Sequence, residues 1–83
     1  MKTLRLHKEA EKYLNSLNTK LADRIEEAME NLCRIPPVGD ILPLKDRSHF
    51  WRMRLGKLRI IYYATDTTVN VVAIGSRGQI YNN

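Results

Sequence analysis

"WRMRLGKLRIIY", residues 51–62, decides how the second half of this chain folds. Apolar and polar side chains alternate on both sides of one glycine, the period of a strand with one buried face. Gly56 and Lys57 form a Gly-X pair, the order that suits a two-residue type II′ turn. A hairpin closed there sets Leu55 opposite Leu58, Arg54 opposite Arg59, Met53 opposite Ile60, Arg52 opposite Ile61 and Trp51 opposite Tyr62. Asp66 and Thr67 then reverse the chain into "TVNVVAIG", with Tyr62 opposite Val71 and Ile60 opposite Ala73. One face of this three-stranded meander carries Trp51, Met53, Leu55, Leu58, Ile60, Tyr62, Val71 and Ala73, and is apolar throughout. The other carries Arg52, Arg54, Arg59, Ile61, Tyr63, Asn70, Val72 and Ile74, so the cations gather on the side turned away from the core.

Upstream of residue 49 the period is different. Residues 2–6, "KTLRL", alternate and predict a short strand. Ala10, Tyr13, Leu14 and Leu17 then recur at helical spacing, followed by a second such series of Leu21, Ile25, Ala28, Met29, Leu32 and Cys33. Asn18 or Thr19 caps the second helix, and Pro36 and Pro37 stop it. So short a link makes the helices antiparallel neighbours, and the apolar face of the meander is their seat. "PPVGDILP" reads as a turn-rich connector. The expected fold is therefore α+β: a short N-terminal strand and an antiparallel helical hairpin packed on one face of an antiparallel β-meander.

The totals set bounds. With 83 residues the chain is read as one domain, 1–83, and 43% hydrophobic content is ample for a folded core. No apolar run approaches the roughly 20 residues that a membrane helix needs. "MKTLRLHKEAEKY" has no apolar stretch before its charges resume, which argues against a signal peptide. Cys33 is the single cysteine and has no internal disulfide partner, in keeping with a reducing cytoplasm. One cysteine with two distant histidines, His7 and His49, makes no zinc site, and no metal or cofactor is expected.

Net charge is +5, and nearly all of the excess sits in one stretch. Residues 45–59 hold Lys45, Arg47, Arg52, Arg54, Lys57 and Arg59 against Asp46 alone. Such a cluster reads as a footprint for phosphate or an acidic partner; the alternative is a solvated surface that keeps a small protein soluble. Arg54 directly across from Arg59 costs roughly 0.2–1 kcal/mol in a sheet, and no acid is interleaved in the hairpin. A local conflict of this kind points to an anion-binding site.

The element order and two motifs resemble the RelE/ParE toxin superfamily of bacterial and archaeal toxin–antitoxin modules. "WRMRLGKLRIIY" is similar to the family's basic strand, glycine turn and following R-x-(I/V)-(I/V)-Y strand, and "AIGSRGQIY", residues 73–81, to its I-G-x-R-x-x-x-Y close. The resemblance spans essentially the whole chain. It implies the toxin of a type II module, a ribosome-dependent, metal-independent endoribonuclease that cuts mRNA in the ribosomal A site and is silenced by a cognate antitoxin. By position, Arg59, Arg77 and Tyr81 fall on the family's candidate catalytic residues. Arg52 and Arg54 fall on its RNA-binding strand, joined by Lys45, Arg47 and Lys57 of the same basic stretch. Where some relatives have lysines on that strand this chain has arginines, and it ends at Asn83, where many relatives continue into a helix.

In such a reaction the substrate's 2′-hydroxyl attacks the adjacent phosphorus, leaving a 2′,3′-cyclic phosphate and a 5′-hydroxyl end. Negative charge builds on the phosphoryl oxygens, and preorganised guanidinium groups stabilise it. Arg59 and Arg77 are expected to form that clamp while Arg52 and Arg54 orient the backbone. Tyr81 is expected to stack on an unpaired base or pass a proton. Trp51, Met53 and Tyr62 read as core, His49 as a lone residue in register with Trp51, and His7 as part of the first helix cap. The competing function is that of ParE-like relatives, which share the fold and inhibit DNA gyrase without cutting RNA. A third is a degenerate member that only binds its antitoxin.

Overall fold

The hairpin forms in the register its glycine dictates. A computed structural model describes residues 1–76, and in it β3 (Trp51–Leu55) pairs antiparallel with β4 (Leu58–Ala64) from Trp51–Tyr62 through Arg54–Arg59 to Leu55–Leu58. Gly56 takes φ +60° while Lys57 stays at negative φ, the combination of a type II′ turn. Ahead of them lie β1 (Thr3–Leu6), α1 (Lys8–Asn15), α2 (Thr19–Leu32) and β2 (Asp40–Pro43), and after them β5 (Thr68–Ser76). The five strands form one sheet in the order β1-β5-β4-β3-β2, with only the β1–β5 pair parallel.

Two departures from the sequence reading matter for the site. The first is β2. "DILP" lies in the stretch read as a connector, yet Asp40 to Pro43 pairs antiparallel with Arg54 to Trp51 and widens the meander on the arginine side. The four-residue strand follows Gly39 and ends on Pro43, so its local pattern is too short to announce itself. The second is a bulge. Tyr62 does face Val71, but Ile61 faces Ala73 and Ile60 faces Ile74, leaving Val72 as an extra residue in β5. Beyond the bulge the parity of β5 inverts. Ile74 joins the core in place of Ala73, which is only partly buried.

Helix formation follows the expected pattern. The Asn18 side-chain oxygen accepts from the Leu21 backbone N–H at 2.9 Å and satisfies one orphan donor of α2. Its buried residues, Ile25, Ala28, Met29 and Leu32, form one stripe. In α1 Ala10 and Leu14 play that part, and the backbone N–H of its N-cap residue His7 donates to the Val71 carbonyl at 2.8 Å. These stripes meet Met53, Ile60, Tyr62, Val69, Val71 and Ile74 in a single apolar cluster. Burying one Ile or Met completely contributes roughly 1.5–3 kcal/mol, so this seam dominates stability. Trp51 has the inward parity but stands at the sheet's end and is 39% exposed, so it is not a core residue.

The opposite face is not bare. Ile61 and Leu44 are buried yet stand outside the cluster beneath the helices. The 44–50 loop folds back by a bond from the Leu44 N–H to the Phe50 carbonyl at 3.0 Å, and the Phe50 ring meets Tyr63 edge-on, centroids 5.5 Å apart.

Candidate nucleic-acid interface

Strand alternation and register build the outer face in rows. The first runs Asp40, Arg54, Arg59, Gly75, and the second Leu42, Arg52, Ile61, Ala73. A third joins Tyr63, Asn70 and, on the parallel edge strand, Arg5. Four arginines of one sheet thus share one face, and Arg5 is the member the sequence reading passed over. "TLRL" announces a strand whose outward residue is Arg5, but not that this strand lies beside β5.

The acid absent from the hairpin is supplied by β2. Arg54 Nε donates to Asp40 Oδ2 at 2.9 Å, correcting the expectation that no carboxylate interrupts the basic cluster. Both side chains are half exposed, 52% and 48%, so the pair orients more than it stabilises. Arg59 departs from expectation differently. It occupies the row as foreseen but is only 7% exposed, so its charge lies beneath this surface. Arg52 is half-buried, and its Nη1 is fully buried with no hydrogen-bond partner among the described residues. A guanidinium nitrogen held that way is costly unless an acceptor reaches it.

The remaining candidates are dispersed. Lys45 and Arg47 are exposed on the loop before β3, and Lys57 is exposed in the turn after it. At roughly 3.3 Å per residue, the length of β3 separates these two groups by about 15–20 Å. They flank the arginine rows and are not part of them. Arg77 and Tyr81 lie outside the described residues. His49 is exposed in the loop at φ +69°, not in the strand with Trp51. His7 holds the N-cap position without a side-chain capping bond, and its ring meets Tyr63 edge-on with centroids 6.1 Å apart. An edge-on row of His7, Tyr63 and Phe50 therefore borders the arginines, an aromatic element the strand pattern alone did not reveal.

Two buried titratable groups lie on the far side of the sheet from the arginines. Burial pushes Tyr62 up to about 12. Burial, reinforced by Glu30, raises the Cys33 thiol, which keeps it protonated and unreactive near neutrality. Among the described residues no three His, Cys, Asp or Glu side chains gather to hold a metal. No helix among them is long and apolar enough to cross a membrane.

A family model described as "ParE toxin of type II toxin-antitoxin system, parDE" matches residues 4–81. Among solved structures, the chain is similar to a chain of the archaeal RelE–RelB complex from Pyrococcus horikoshii at 26% identity, covering 94% of this chain and 97% of that one, TM-score 0.73. It is also similar to a chain of the RelBE2 toxin–antitoxin complex from Mycobacterium tuberculosis, at 24% identity, 92% and 98% coverage and TM-score 0.75. The isolated Escherichia coli RelE toxin shares the fold at 16% identity, 92% and 84% coverage and TM-score 0.76. No curated protein matches the sequence.

Proposed function

Because the chain belongs to the ParE toxin family of type II toxin–antitoxin systems, within the RelE/ParE superfamily, we propose that it is a toxin that cuts mRNA on the ribosome. It does so in the cytoplasm, without a metal, and is held in check by a cognate antitoxin. The observation that carries this reading is the arginine face. The half-buried Arg52 stands on the same face and strand as the exposed Arg54, whose partner across the hairpin is the buried Arg59. A phosphodiester supplies anionic oxygens of the right kind, and a guanidinium stays charged at any working pH. Arg52 and Arg54 grip the RNA backbone. Arg59, with Arg77, stabilises charge on the reacting phosphate as the 2′-hydroxyl attacks. Lys45, Arg47 and Lys57 draw in the flanking chain, and His7, Tyr63 and Tyr81 offer ring faces to unpaired bases. The antitoxin partner is supported by the toxin–antitoxin complexes among the similar structures.

The second reading, gyrase inhibition without catalysis, is favoured by the ParE description of the matching family model. One preparation tests both. Purified protein is added to ribosomes programmed with a defined mRNA, with chelator present, and separately to a gyrase supercoiling reaction. The RNase reading expects mRNA cut within the A-site codon, cyclic-phosphate ends and undisturbed supercoiling. Intact mRNA with inhibited gyrase transfers the arginine face to the second reading.

A further inference from the structure

Not every exposed apolar side chain lies on the arginine face, as Leu42 does. Ile35 is 72% exposed and Trp51 39% exposed, and both line a cavity of about 240 Å³ at the C-terminal end of α2. Leu32 and Tyr62, each 3% exposed or less, belong to the same lining. Among the described residues, Lys2 and Arg34 are its charged residues and no carboxylate lines it. Both cations are steadied from within: Lys2 Nζ donates to the Thr65 carbonyl at 2.7 Å, and Arg34 Nε to Asn31 Oδ1 at 3.2 Å. Neither forms an ion pair among the described residues, so each keeps N–H groups for an outside acceptor. The volume falls below the roughly 300–1,000 Å³ of small-molecule sites, a size for one or two side chains of a protein partner. Tryptophan and arginine at the rim of such a pocket are the residue types that dominate binding energy at interfaces.

We propose that this groove anchors an acidic, amphipathic segment of the antitoxin, with one large apolar side chain seated between Ile35 and Trp51 and neighbouring carboxylates on Arg34 and Lys2. The inference rests on the toxin–antitoxin reading above, and it adds where the partner is held. Charge selects the occupant: an apolar pocket whose charged side chains among the described residues are Lys2 and Arg34 favours an acidic segment and disfavours a basic one. Trp51 and Tyr62 pair on the helix side of the sheet, whereas Arg52 and Arg54 belong to the outer rows. An antitoxin anchored here is therefore retained without competing with RNA for those arginines.

The single tryptophan of the chain is a built-in reporter. The full chain, carrying 5-fluorotryptophan, is titrated with the full-length antitoxin isolated with it from its native host, and Trp51 is followed by fluorine NMR. The expected result is a shifted Trp51 signal in the complex and an affinity loss of at least about tenfold for Arg34→Glu and for Ile35→Asp. Lys20→Ala, which removes a cation elsewhere, should leave affinity unchanged. A tight complex in which the Trp51 signal stays put and both variants bind like the parent overturns the groove assignment while leaving the toxin–antitoxin reading intact. A Trp51 shift that depends only on the concentration of this chain places a second copy in the groove and also overturns it. If no antitoxin associates with the chain at any concentration, both fail.

Discussion

Asp40 and Arg54 join across β2 and β3 at 2.9 Å, and on the other side of Arg54 stands Arg59. The row therefore reads acid, base, base, and the carboxylate holds Arg54 by its Nε while both Nη groups remain for a second anion. Being half exposed, the pair contributes on the order of 0–1 kcal/mol. Asp40→Asn is expected to move the melting temperature little and to tighten binding of a labelled single-stranded RNA. Arg54→Gln, which removes one phosphate contact, should make the slope of log affinity against log salt shallower by about 0.7. Fluorescence anisotropy over a series of KCl concentrations reads this. An unchanged slope would mean that Arg54 does not meet the RNA backbone.

The same pair shows how far the sequence could be read. From the hairpin alone, Arg54→Glu relieves repulsion against Arg59 and should stabilise. With β2 in place, the new carboxylate also meets Asp40, and the gain is offset. The Gly56 turn and a period of two made the β3–β4 register legible residue by residue, and with it the arginine rows. What stayed hidden depends on non-local pairing. A four-residue strand has too few alternations to be recognised, and "TLRL" does not reveal which edge it joins. The bulge at Val72, which turns Ile74 inward, comes from the fit of β5 to β4. The burial of Arg59 and the exposure of Trp51 likewise follow from what the rest of the chain covers, which parity does not encode.

Gly39 precedes β2 in a backbone conformation that favours glycine. It sits at φ +148°, and a Cβ built there meets Met53 Sδ at 2.7 Å, whereas one at Gly56 (φ +60°) meets nothing within 4 Å. Gly39→Ala is expected to cost about 1–3 kcal/mol from strain and overpacking, more than Gly56→Ala. Urea titrations of the two variants decide it. Equal losses would show that the Gly39 contact relaxes freely.

Tyr62 sets an alkaline limit. Burial raises it from its ordinary value near 10 to about 12, so the folded state binds its proton more tightly than the unfolded state does. Its contribution is complete below pH 10 and is lost as pH rises through 12. A shift of this size amounts to at most about 2–3 kcal/mol. Tyr62→Phe should flatten the fall in stability between pH 10 and 12 relative to the parent chain. Parallel curves for the two proteins would show that Tyr62 ionises without penalty.

If the arginine face handles a reacting phosphate, the single-turnover rate of mRNA cleavage on A-site-programmed ribosomes depends on it. The wild-type chain should cut. Arg59→Gln should slow cleavage by on the order of 100- to 1,000-fold, the usual cost of one such electrostatic contact, while ribosome affinity changes by only a few-fold. Arg59→Lys should recover part of the rate, because it restores the charge without the planar fork. Cleavage at the wild-type rate by a folded Arg59→Gln protein, or no cleavage by the wild-type chain itself, would contradict the account.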